Sequence, residues 1–374
     1  MTGPFGGSEG SAPDPDPQPA KTDPQPSAPA PRRERPAGMA AVARRADVSH
    51  QTVSRVLNNH PSVRTSTRER VLQAMADLDY RPNRLARALV TSRSGLIGVV
   101  TSGSAKYGPT STLMAVEEAA RGAGYAASVT AVHDNDPEAL ATRMADTLLS
   151  FDSQAVEGVI VIAPRVSTVL ALETISSRAP LLLIAAGVAP SSRFGVVSVD
   201  QSQGARAATA HLVAQGHTSI GHLAGPADWF DSRERYRGWV EELESAGLQP
   251  GPVWEGDWSA DFGYDVGRRL VADPDRPTGI VASNDQMALG LLRAFGEAGV
   301  AVPGDVSVTG FDDIEGTAHF QPPLTTVRQD FAQLGEAAIA SMLQMIEERT
   351  TPTGAVPLIP TELVVRASTG PARA

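Results

Sequence analysis

The chain has 374 residues, 41% of them hydrophobic, which is enough for two or three folded domains. It contains no cysteine, so disulfides and thiolate metal sites are excluded. The net charge of −10 would argue against a polyanionic partner if it were evenly spread. It is not: residues 39–94 carry about +6, and residues 95–374 about −15. A basic module joined to an acidic body suits phosphate contact at one end only. No apolar run is long enough to span a membrane, and the start of the chain lacks a signal-peptide pattern, so a cytoplasmic protein is expected.

Residues 1–38 are rich in Pro, Ser, Asp and Ala and bury too little apolar surface to offset their ordering entropy. A disordered tail is expected there, with Arg32, Arg33 and Arg35 as a solvated charge run. Met39 to Ala46 (MAAVARRA) reads as a helix. Asp47 and Val48 then leave a tight turn, and Asp tolerates the left-handed backbone such a turn needs. A second helix follows, with Ser49 as N-cap and Val53, Val56 and Leu57 facing a small core. Its other face presents His50, Gln51, Thr52, Ser54 and Arg55. An amide, a guanidinium and an imidazole are the groups that read base edges in a major groove. This is a helix-turn-helix pattern, running on to Asn58. A third helix is expected over residues 64–80, capped by Thr65 or Ser66, with Val71, Ala74, Met75 and Leu78 buried.

AAVARRADVSHQTVSRVLN together with VRTSTRERVLQAMADLDYRPNRLARAL resembles the DNA-binding head of the lac repressor family. Asp47 departs from that pattern, which has Gly at the turn. The resemblance implies an all-α head over residues 39–82 and a hinge over 83–94. It also implies a core over 95–374 made of two doubly wound parallel-sheet subdomains, like a periplasmic binding protein. The first subdomain would take about 95–199 and 331–358, the second about 200–327 and 359–367. Asn83 to Leu89 (NRLARAL) would be a hinge helix formed only on DNA. Leu89 would wedge into the minor groove, with Arg84 and Arg87 along the phosphates. A plain linker is the alternative.

From Gly95 the pattern becomes alternating strands and helices, as a parallel sheet covered on both faces requires. Leu96–Val100, Tyr125–Val132, Val159–Ala163, Leu181–Ala185 and Val196–Val199 read as strands, with helices at 112–122, 136–151 and about 168–177. Asp136 and Pro137 open the second of these. Beyond them, strands are expected at 219–224, 279–282 and 306–309. Helices are expected at 203–215, 232–246, 286–298 and 330–348.

LAGP, RYRGW, GDWSA, SNDQMALG, GFDD and TTVRQDF, scattered over residues 223–331, match the family closely. By that resemblance Arg235, Asn284, Asp312 and Gln329 would hydrogen-bond a ligand's hydroxyls, and Trp258 and Phe331 would wall its apolar face. A sugar presents both surfaces, and neither metal nor cofactor is expected. Taken singly, Asp312 reads equally as a cap or brace, Trp258 as core, and Arg235 as a salt-bridge partner. The acidic residue with which a galactoside-binding member ends its fourth strand falls at or near Ala185 here. Lys106 and Tyr107 stand where that member has an apolar residue and a His. A galactoside or another mono- or disaccharide is therefore expected.

The expected function is a repressor of carbohydrate-utilisation genes. It would bind near-palindromic double-stranded operator DNA as a homodimer and weaken its grip when sugar binds. His50 would alter base preference. The end, VVRASTGPARA, has no leucine heptads, which favours a dimer over a tetramer. An exported solute-binding protein would share the cleft but leave Ser49–Arg55 unexplained. An enzyme finds no support, for there is no P-loop, nucleophile elbow or His pair at metal spacing. His217 and His222 read as surface or structural residues.

Overall fold

A computed structural model describes residues 38–57, 61–80, 93–133, 136–351 and 356–373. The chain separates into two compact units, a head up to Pro82 and a core from Asn83 onward. The expected tail, Asn58, and the Asn83–Leu89 segment with Arg84, Arg87 and Leu89 lie outside the described residues.

The head has three helices, α1 (Met39–Arg45), α2 (His50–Leu57) and α3 (Thr65–Asp77). Val42, Val53, Val56, Val71 and Ala74 interlock as its core. Asp47 makes the α1–α2 turn with φ of 50°, the left-handed backbone expected of it. Ser49 caps α2, its Oγ accepting from the Thr52 amide at 3.1 Å. The expected cap of α3 is corrected: Thr65 is already helical and Arg64 holds the cap position, with no side-chain cap bond.

The core contains two six-stranded sheets. The first sheet uses β1 (Leu96–Thr101), β2 (Ala126–Ala131), β3 (Gly158–Ile162), β4 (Leu181–Ile184), β5 (Phe194–Val199) and β11 (Leu358–Ile359), in the order β11-β5-β4-β3-β1-β2. All of its pairings are parallel. Alternate residues of its strands feed two cores. Val100, Val161 and Leu183 pack with α5 (Pro137–Ser153) and α6 (Val166–Thr174). Val99, Ile160 and Leu182 pack with α4 (Tyr107–Gly122) and α11 (Phe331–Glu348).

The second sheet uses β6 (Ile220–Ala224), β7 (Val253–Glu255), β8 (Gly279–Ala282), β9 (Ser307–Asp312), β10 (Thr325–Gln329) and β12 (Thr361–Val364), in the order β12-β10-β9-β8-β6-β7. Only β12 runs antiparallel, along β10. Helices α7 (Gln201–Ala214) and α8 (Phe230–Ser245) cover one face, α9 (Ala260–Val271) and α10 (Asp285–Glu297) the other. The chain passes between the sheets three times: after β5, after β10 and at Pro360 between β11 and β12. Ligands of such open sheets sit beyond the carboxyl ends of the strands. Two of the family-like residues stand there, Asp312 ending β9 and Gln329 ending β10.

Several elements differ from expectation. α4 begins at Tyr107 rather than Thr112, so Lys106 and Tyr107 form a helix start rather than a loop. β7, α9, β10 and the two last strands were not predicted. α9 (ADFGYDVGRRLV) carries two glycines that weaken a helical reading. Their reason is tertiary: a Cβ on Gly263 would lie 2.0 Å from the Met287 carbonyl oxygen of α10.

Candidate functional site

Four side chains from four segments close a buried ring in the second subdomain. Arg235 on α8 donates from Nε to Gln201 Oε1 at 2.9 Å. Gln201, the first residue of α7, donates from Nε2 to Gln329 Oε1 at 2.8 Å. Gln329 donates from Nε2 to Asp312 Oδ1 at 2.7 Å. Asp312 Oδ1 lies 3.5 Å from Arg235 Nη2, completing the ring. All four residues are buried.

Other groups fix Arg235 further. Nη1 donates to the Ser283 carbonyl, and the guanidinium carbon sits over the Phe311 ring, 3.8 Å from its centroid. Behind Ser283, His222 is fully buried, stacked on Trp239 at 5.1 Å and bonded to the Ser283 hydroxyl. Burial first, and the nearby Arg235 charge second, push its pKa down to about 3, so it stays neutral. His217 is buried too, tied to Thr278 and to the Gly370 carbonyl. Both are structural rather than surface residues.

The ring opens onto a narrow cleft between the subdomains. Arg235, Asn284, Asp312 and Trp258 line one part with Lys106, Tyr107 and Asp231. Gln329 and Phe331 line the adjoining part with Gln201, Asp231 and residues of the first sheet. All six ligand-contact candidates from the sequence thus border one space. Phe331 meets Tyr107 edge-on at 5.8 Å, and Trp258 meets Trp229 edge-on at 5.5 Å. Trp258 has φ of 70° and Asp312 φ of 112°, conformations that cost energy and cluster where a site dictates geometry. Asn284 also has a structural duty: its Oδ1 caps α10 by accepting from Met287 N, and its Nδ2 donates to the Trp258 carbonyl.

The cleft is rich in acid. Burial raises Asp312 to about 7, against the opposing pull of Arg235. Burial likewise raises Asp231 and, more strongly, Asp285. Asp285 accepts from Thr326 Oγ1 and from the Ile314 amide, bracing the segment after β9. Gln201, Asp231 and Trp229 were missed in the sequence. They fall outside the family-like motifs, and only the fold brings them to the cleft.

In the head, His50, Gln51 and Arg55 are exposed on α2, opposite buried Val53 and Val56. Thr52 and Ser54 are partly buried, with Thr52 Oγ1 2.9 Å from Ser49 Oγ. The helix therefore offers a polar face with two long donors. Among the described residues no helix is long and apolar enough to cross a membrane, and no group of three or more His, Cys, Asp or Glu could hold a metal ion.

A helix-turn-helix head with a two-sheet, cleft-bearing core defines the class of DNA-binding regulator with a ligand domain. The model of bacterial regulatory proteins of the lacI family matches residues 39–83, and that of the periplasmic binding protein-like domain matches 209–369. The chain is 36% identical to the lactose operon repressor of Escherichia coli over 90% of its own length and 91% of that protein's. It is 32% identical to the HTH-type transcriptional repressor PurR of Pasteurella multocida, over 87% of this chain and 97% of that one. The solved lac repressor dimer bound to operator and the anti-inducer ONPF superposes with a TM-score of 0.74 at 35% identity, covering 90% of this chain and all of that one. The chain belongs to the lacI family of bacterial regulatory proteins.

Proposed function

We propose that this protein is a transcriptional repressor whose operator affinity is lowered by a carbohydrate bound in the core cleft. Family membership leaves the ligand class open, since the matched repressors include both the lactose operon repressor and PurR. The chemistry of the cleft supports a carbohydrate. Its polar lining is a ring of planar donors and acceptors set beside Trp258, Trp229, Phe331 and Tyr107. Hydroxyl groups can both donate to Asp312 and Gln329 and accept from Arg235, while aromatic faces cover the C–H surface of a pyranose. The buried Arg235–Gln201–Gln329–Asp312 ring is the observation that carries this reading.

The head reads DNA through α2. Gln51 suits adenine and Arg55 suits guanine, and Ser49, His50, Thr52, Ser54 and Asn58 are the further DNA contacts. Two heads of a homodimer read the half-sites of a near-palindrome. Arg84 and Leu89 belong to a hinge that grips the minor groove. The sugar favours one relative orientation of the two subdomains, separates the hinges and loosens the operator. By linkage the operator weakens sugar binding by the same factor. The protein works in the cytoplasm and turns nothing over.

The test is a thermal-shift screen of the full chain against neutral and charged sugars and against purine bases. Any hit is followed into an operator-binding titration. Stabilisation by a sugar that also weakens operator binding supports the reading. Stabilisation by purine bases alone would move the protein to the other ligand class.

A further inference from the structure

Next to the cleft by the Arg235 ring lies a second compartment, lined by residues of the first subdomain and by Trp229 of the second. Ser102, Lys106, His133, Arg165, Ser167 and Trp229 are among its lining residues. Lys106 and Trp229 also border the first compartment, so the two are adjacent. Their chemistry differs. The first holds Asp231 and Asp312 beside Arg235; the second, among the described residues, has no carboxylate in its lining but carries Lys106 and Arg165.

Three features of this compartment suit an anion. Helices α4 and α6 both begin at it, with Lys106 and Arg165 at their cap positions and no side-chain cap on either. Their helix starts add partial positive charge to the two side-chain cations, though the Val166 and Thr168 amides of α6 already donate to the Asp228 and Arg165 carbonyls. Ser102 Oγ and Trp229 Nε1 are buried with no hydrogen-bond partner in the protein, and both residues line the compartment. Trp229 is 5% exposed. A buried donor without a partner is costly, and a ligand oxygen would satisfy it. The nearest acids leave the cations available. Lys106 Nζ donates to the Asp257 backbone carbonyl at 2.9 Å, and the Asp257 carboxyl is held below the usual range first by the Ser259 hydroxyl and less by the Lys106 charge. Arg165 lies 3.5 Å from Asp228, whose side chain is half-exposed. Neither acid lines the compartment.

We propose that the second compartment is an anion subsite, and that the natural effector is a carbohydrate bearing a phosphate or carboxylate. Its hydroxylated ring faces Arg235 and Asp312, and its anionic group lies between Lys106 and Arg165. The proposal rests on the carbohydrate reading above for the ring, but not for the anion.

Calorimetry on the full chain tests it with glucose, glucose 6-phosphate and glucuronate, the matching galactose series, and inorganic phosphate alone. The wild type should bind one anionic member about tenfold or more tighter than its neutral parent, as charge-assisted hydrogen bonds allow. Whether phosphate or carboxylate gains more identifies the group. In Lys106→Gln/Arg165→Gln that ratio should fall to about one, while unliganded melting shows that the variant is folded. Neutral sugars binding as well as their anionic partners would overturn the anion subsite and leave the carbohydrate reading standing. A preference that survives in the double variant would also overturn it. Phosphate binding that needs Lys106 and Arg165, with no sugar bound, would keep the subsite and reject the carbohydrate. No binding by any probe rejects both.

Discussion

Asp312→Asn should stabilise the unliganded protein at pH 8 while abolishing its response to ligand. Asp312 Oδ1 accepts from Gln329 and faces Arg235, yet burial still raises the pKa of the carboxyl from 3.8 to about 7. The folded state therefore holds this proton more tightly than the unfolded chain does. Stability from this carboxyl is fully present below about pH 4 and is lost as pH rises through about 7. A tenfold change in proton affinity corresponds to about 1.4 kcal/mol, so ionising the folded carboxyl costs on the order of 4 kcal/mol. Asparagine removes that cost and keeps an oxygen for Gln329, and Arg235 keeps Gln201 and Ser283 as acceptors. The new amide must find its own acceptor, which offsets about 1–3 kcal/mol. A net gain of about 1–3 kcal/mol at pH 8, shrinking to nothing or reversing at pH 5, is the expected result. Asp312→Ala should lie about 1–3 kcal/mol below Asp312→Asn because it leaves the Gln329 amide unpaired. Urea unfolding followed by tryptophan fluorescence measures this, since Trp229, Trp239, Trp254 and Trp258 all lie in the second subdomain. A pH-independent loss on Asp312→Asn would refute the reasoning.

The remaining predictions concern packing and the head. Gly290→Ala should destabilise by about 1–3 kcal/mol or more, because its Cβ would lie 2.0 Å from the Ala260 carbonyl oxygen and drive α9 from α10. Gly296→Ala on the same helix meets nothing within 4 Å and should gain about 0.5–1 kcal/mol in the same denaturation series. Asp47→Gly should leave the head as stable or up to about 1 kcal/mol more so, since φ of 50° suits glycine better; a clear drop in its melting temperature would contradict the turn assignment. Arg55→Ala should cost about 1–3 kcal/mol of operator binding and relax one base position. Equal loss on all sequences would make Arg55 a phosphate contact only.

The strands of the first sheet were the most legible part of the chain, because short apolar runs such as VIVIA and LLLIA have few other uses. The head was legible through its amphipathic spacing and family-like sequence. Hydropathy failed where polar residues are buried and paired. β10 (TTVRQ) lacks an apolar strand run, yet Thr326 bonds Asp285, and Thr325 is met by Ser368 and Thr369 near the end of the chain. Glycine misled in α9, where it permits close helix contact. Within the cleft, Arg235, Asp312 and Gln329 were found through motif resemblance. Their fourth partner, Gln201, lies 128 residues from Gln329, and no local pattern announces that bond. Asn284 carries both readings at once, a helix cap and a cleft wall.

One titration tests the central claim most directly. Full-length protein is bound to a near-palindromic duplex from its own locus at fixed salt, and the cleft ligand found by screening is added. Operator affinity should fall as ligand rises, and Asp312→Asn should bind the same duplex without responding. Failure to bind any such duplex at low salt, or a ligand that binds without changing operator affinity, would contradict the account.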